Sequence, residues 1–173
     1  MRVSRAIAIV LAILVAIIPI KSRAEEISVN DVDSLYRFYA WEVESTYDVS
    51  ASLILSICYE ESRFKTEVVG GNFTQLTNLK WFREGIDAIG ARQPKDNVYE
   101  NMMICGYYIS KWAEEYEGEP YLWLEMWNEG YENALCSYDS QNPSRYAKRV
   151  LNRAERWEEE LEIINSKNAR LHP

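Results

Sequence analysis

The sequence predicts a mainly α-helical domain with at most one small β-turn region. Apolar residues recur at helical spacing in stretch after stretch, and no segment alternates long enough to make a confident strand. Gly, Pro and cap residues separate the helical runs. At 173 residues and 47% hydrophobic the chain can bury the core of one domain and would cramp a second. The expected boundaries are a signal peptide over 1–24, an N-terminal helix of the same domain over 25–47, the main body over 48–166 and a C-terminal tail over 167–173.

The first 24 residues carry Arg2 and Arg5, an apolar run from Ala6 to Ile20, and Lys21-Ser22-Arg23-Ala24. A charged start, a greasy middle and small residues at Ser22 and Ala24 describe an export signal cleaved before Glu25. The alternative is an uncleaved anchor, for which the run falls short of the ~20 residues a spanning helix needs. The signal holds four of the nineteen basic residues and none of the acids, which leaves fifteen bases against twenty-seven acids, a net charge of −12 in place of −8. Such a chain is not expected to bind nucleic acid, which requires clustered Lys and Arg. A polyanionic substrate would have to be held by short-range contacts in a groove.

Taken in order, Asn30 or Asp31 can cap a first helix through about Tyr47, with Leu35, Phe38, Tyr39 and Glu42 marking its faces. Ser50 can cap the second, Ala51 to about Arg63, and the two should form a helical hairpin. Lys65 to Thr77, with Gly70-Gly71, reads as a loop or small extended turn. A third helix carries Trp81, Phe82, Ile86 and Ile89 and closes at Gly90. Val98 to Tyr116 is the longest uninterrupted candidate, and Gly106 inside it, about 1 kcal/mol worse than Ala in a helix, marks a close crossing. Pro120 suits the first turn of a helix ending at Asn128-Glu129-Gly130, with Gly130 left-handed. A polar loop over Tyr131 to Gln141 follows. Asn142-Pro143 should start the last helix, whose stripe is Tyr146, Val150, Ala154, Trp157 and Leu161 and whose Glu158-Glu159-Glu160 should be a solvated face.

Counting narrows the chemistry. The only His is His172, next to the C-terminus, which argues against a His-activated nucleophile or a His-built zinc site. Cys58, Cys105 and Cys136 are isolated and allow at most one bridge; Cys58 and Cys105 lie in apolar helical runs, as buried free thiols do. Carboxylates remain. In the second helix Ile54, Ile57, Cys58 and Glu61 fall at i, i+3, i+4 and i+7, so Glu61 is aimed along the buried stripe. Burial raises a carboxyl's pKa and keeps it protonated as a general acid. Solvation of both Glu60 and Glu61 at a helix end is the competing reading.

The order of pieces then becomes informative: Glu61-Ser62-Arg63-Phe64, a Gly-rich loop reaching Gln75, a helix with Asn101 and Gly106, Trp127-Asn128-Glu129-Gly130, and Tyr146 four residues before Val150. This resembles the soluble lytic transglycosylases, the lysozyme-like family that cuts peptidoglycan, whose pattern runs Glu-Ser-x-Phe, Gly-Leu-Met-Gln, Asn-Ile-x-x-Gly, Ala-Tyr-Asn-x-Gly and Tyr-x-x-x-Val. The resemblance spans about Val49 to Trp157. Here the chain writes Asn72-Phe73-Thr74-Gln75 in a shorter loop, and Trp127 stands where the family has a Tyr.

The resemblance implies a lysozyme-like catalytic body over 48–166, Glu61 as catalytic acid, and Ser62, Gln75, Asn128 and Tyr146 as substrate-binding residues. It implies a secreted or periplasmic, cell-wall-associated monomer that acts on peptidoglycan glycan strands, with no membrane span after signal cleavage. Glu61 would act first as acid and then as base toward the substrate's own C6 hydroxyl, so that no metal, cofactor or second carboxylate is required. A water-using muramidase, with Asp87 or Asp96 as second carboxylate, and a glycan-binding envelope module that does not cut are the alternatives.

Overall fold

A computed structural model describes residues 27–66, 73–76, 78–92 and 97–171, and among these the chain is helical with no strand. A 3₁₀ turn over Val29–Asp31 precedes α1 (Ser34–Tyr47), α2 (Ala51–Ser62), α3 (Leu79–Ile89), α4 (Val98–Glu115), α5 (Pro120–Glu129), α6 (Tyr131–Ser137) and α7 (Arg145–Leu171). The expected signal peptide, His172, Asp96, the Asn72 start of the Asn-Phe-Thr motif and most of the expected β-turn region lie outside the described residues. No helix among the described residues is long and apolar enough to cross a membrane.

The fold is arranged around α2. Every residue from Ala51 to Tyr59 is buried, so this helix is enclosed on all sides where an ordinary surface helix hides one stripe. It packs against α7, α1 and α4. Ile54, Leu55 and Ile57 are fully enclosed, each contributing about 1.5–3 kcal/mol by leaving water. Ser50 caps the helix as its sequence suggests, its side chain accepting from the Leu53 N–H. Cys58 and Cys105 are buried free thiols, one on α2 and one on α4, and burial pushes both thiols up, away from the reactive thiolate.

Gly106 does mark a close crossing. A Cβ there would stand 2.3 Å from Val43 Cγ1 and 3.0 Å from a ring carbon of Tyr47, so α1 and α4 approach as they do because position 106 has no side chain. Gly90 closes α3 in the left-handed conformation, and Pro120 opens α5.

Several local expectations change. Asp33, not Asn30 or Asp31, caps α1, because residues 29–31 form a separate turn closed by a capping box between Ser28 and Asp31. Tyr131–Ser137 is a helix and not a loop; only Ala134 of its seven residues is buried, so it carries almost no apolar periodicity and is stabilised by packing on α5. Gly130 joins the two at φ 92° and ψ 146°, a region open essentially to glycine, and not in the left-handed helical conformation. The last helix begins at Arg145, with the Ser144 hydroxyl accepting from the Ala147 N–H, so Asn142-Pro143 precedes the cap.

Of the expected stripe of α7, Val150, Ala154, Trp157 and Leu161 are buried and Tyr146 is half-buried. Its acidic run is not simply solvated. Glu160 accepts from the Ser28 hydroxyl at 2.6 Å and the Val29 N–H at 2.7 Å, and Glu158 accepts from Ser52. These carboxylates tie the entry of the chain and the start of α2 to α7. The helix itself continues to Leu171, through most of the segment expected as a tail.

Candidate active site

Two adjacent acids leave the end of α2 in different company. Arg63 and Phe64, just beyond the helix, are both left-handed, at φ 54° and 58°, a conformation that costs a residue with a Cβ about 1–2 kcal/mol. Aromatic packing holds them there: the Phe64 ring lies 5.7 Å from Tyr36, 5.6 Å from Tyr59 and 6.3 Å from Trp157, and the Arg63 guanidinium sits 4.4 Å above the Tyr59 ring. The sharp exit ends α2 one residue after its two acids.

Glu60 is bound into the protein. Its side chain is 6% exposed and pairs with Arg149, at 2.5 Å from Nη2 and 2.6 Å from Nε, and with Arg153 at 3.2 Å. Arg153 is equally buried and lies 4.5 Å above Tyr59. The reading of Glu60 as a solvated acid does not survive this geometry.

Glu61 keeps a different partner. The Tyr146 hydroxyl donates to Glu61 Oε1 at 2.6 Å, which leaves the second carboxyl oxygen to carry a proton. Burial raises the Glu61 carboxyl above its ordinary range; the Tyr146 hydrogen bond opposes this, and the charge of Glu60 adds to it. Burial and Glu61 together push the Tyr146 phenol well up, so it stays a donor. The Gln75 amide donates to the Glu61 carbonyl oxygen and fixes the loop to the helix end. Gln75 is itself left-handed, at φ 53°, between buried Thr74 and Leu76.

These pieces border a groove of about 480 Å³ lined by Glu61, Gln75, Leu76, Asn78, Trp81, Trp127, Asn128, Glu129 and Gly130. Trp81 and Trp127 are held from behind by Trp112, whose ring lies 5.4 Å from the first and 6.4 Å from the second. The Tyr108 hydroxyl donates to the Trp81 carbonyl at 2.7 Å. The groove thus presents side-chain amides and indole rings around one half-buried acid.

No family model matches the chain, and no curated protein or solved structure matches it either. The site therefore stands on its own geometry. Of the residues singled out in the sequence, Glu61, Gln75 and Asn128 share the groove, and Tyr146 reaches it through the Glu61 carboxyl. Ser62 does not line it. It is buried, and its hydroxyl donates to the Cys58 carbonyl one helical turn back at 2.9 Å. Asp87 is exposed on α3 away from the groove lining. Glu129, which the sequence marks only as part of a helix stop, also lines it, as does Asn78, which caps α3. Among the described residues no group of three His, Cys, Asp or Glu is placed to hold a metal.

Tyr146→Phe gives a directional check. Loss of the hydrogen bond that lowers the Glu61 carboxyl leaves burial less opposed, so the pKa rises further. The basic limb of any Glu61-dependent activity is expected to move to higher pH, with a lower maximum rate because the carboxyl is less firmly aimed. A pH–rate profile reads both, and a basic limb that stays put or moves down would separate Tyr146 from Glu61.

Proposed function

We propose that this chain cleaves the β-1,4 bond between N-acetylmuramic acid and N-acetylglucosamine in peptidoglycan as a lytic transglycosylase, with Glu61 as the catalytic residue. The observation that carries the reading is the Glu61 carboxyl itself: half-buried, raised in pKa, oriented by Tyr146 and set in a groove with Gln75, Asn128 and two Trp residues. The order of sequence motifs supports the same class, and export by residues 1–24 would bring the chain to its substrate.

In this mechanism protonated Glu61 gives its proton to the glycosidic oxygen as the C1–O bond breaks and positive charge grows on the muramic acid ring. The carboxylate so formed, 2.6 Å from the Tyr146 hydroxyl, takes the proton of the substrate's C6 hydroxyl while O6 bonds to C1. Glu61 ends protonated again, and the product is a 1,6-anhydro ring. One carboxyl serves both steps.

One observation favours a second reading. Glu129 lines the same groove, and a second carboxylate could activate water and make the chain a hydrolytic muramidase. Incubation with purified sacculi tests the shared part of both readings. Soluble muropeptides are expected from the wild type; none from folded protein would leave a module that binds glycan without cutting it.

A further inference from the structure

Among the described residues, the ionisable side chains that line the groove are all acidic. Two helices end at it, α2 with Glu61 and α5 with Asn128 and Glu129. A helix C-terminus carries roughly half a negative charge, so both ends add to the field of the carboxylates. Two helices also start there, α3 and α6, and their N-terminal ends oppose this, although at α3 Asn78 already accepts from the Lys80 and Trp81 N–H groups. Among the described residues no Lys or Arg lines the groove. Arg63 is stacked on Tyr59, and Arg149 and Arg153 are engaged by Glu60. Glu129 is exposed and has no cation within ion-pair distance among the described residues; its carboxylate meets the Ser137 hydroxyl at a long 3.5 Å. Glu61 is half-buried against Tyr146, so the exposed charge a ligand meets is that of Glu129.

We infer that the groove selects glycan bearing a primary ammonium close to the bound sugars, and that Glu129 is the residue that reads it. The inference rests on the groove being a glycan site, as proposed above, and holds for either mode of cleavage. Acetamido sugars are neutral and indifferent to this field. A free lactyl carboxylate is repelled by it. An ammonium is attracted, and in peptidoglycan it can come from a de-N-acetylated glucosamine or from a free amine on the stem peptide.

Calorimetric titration in mildly acidic, low-salt buffer tests this with two peptide-free probes, the tetramer of N-acetylglucosamine and the tetramer of glucosamine. The wild type is expected to bind the cationic tetramer tighter by about fivefold, the size of one partly exposed charge pair. Glu129→Gln is expected to level the two, as is high salt. A disaccharide-peptide with its free side amine, compared with the same compound acetylated on that amine, distinguishes the sources: preference there but not between the tetramers assigns the ammonium to the peptide. Equal binding within both pairs, or a preference that survives Glu129→Gln, would overturn the inference while leaving the glycan groove. Absence of binding by every probe would instead remove the glycan reading on which it rests.

Discussion

Glu61→Gln is expected to slow muropeptide release by about 10²–10⁴-fold, the contribution of a positioned general acid, while keeping the helix content of the wild type. The amide retains the volume and an oxygen that can accept from Tyr146 but has no proton to deliver. Stability should move the other way. The folded carboxyl has the higher pKa, so the folded state binds its proton more tightly than the unfolded chain does. Its stabilising contribution is therefore complete below the unfolded pKa and is lost as pH rises through the folded one. Glutamine does not titrate, so at neutral pH the variant should unfold at the same temperature as the wild type or higher, with the gap opening across that window. Thermal unfolding followed against pH measures it. A variant that is inactive because it is unfolded would show the opposite, a lower midpoint at every pH.

The larger effect on stability is expected one residue earlier. Glu60→Gln removes the charge that neutralises Arg153, whose side chain is only 6% exposed. An unpaired charge in such a place costs about 3–5 kcal/mol. Arg149, half exposed, can turn to solvent and adds little. A denaturant midpoint reads the loss, and the double variant Glu60→Leu with Arg153→Met should recover much of it because no buried charge is then left alone. Near-identical loss in the single and double variants would mean that packing, not charge compensation, sets the cost. The single substitution also removes a negative neighbour that raises the Glu61 carboxyl, so the basic limb of activity should shift to lower pH, opposite to Tyr146→Phe.

The sequence made the helices legible where apolar spacing and caps agreed. Ser50 and the buried run after it, Gly90 at a helix end, Pro120 at a helix start and the stripe Val150, Ala154, Trp157 all appear where the pattern put them. It could not show α6, whose residues are mostly exposed and whose place is set by α5. Glu158 and Glu160 read as solvated because their partners, Ser52 and the Ser28–Val29 turn, are more than a hundred residues away in the chain. The same separation hid the most useful contact of the site. Tyr146 is 85 residues from Glu61 and fits the core stripe of its own helix, so periodicity alone assigns it to packing. Glu129 was hidden by the Gly130 beside it, which explains a helix end so well that the intervening acid attracts no notice.

The arrangement of one oriented acid with no required partner makes a prediction about the product. Sacculi digested by the wild type should yield muropeptides ending in 1,6-anhydro-N-acetylmuramic acid, because the C6 hydroxyl of the bound ring is an intramolecular nucleophile with an effective concentration of about 10⁵ M or more over water when well oriented. Mass spectrometry before and after borohydride treatment reads the ends directly. Non-reducible ends one water lighter than hydrolysed ones are the predicted result; reducible ends of full mass, formed by wild type and lost in Glu129→Gln, would contradict it and assign hydrolysis to the two carboxylates together.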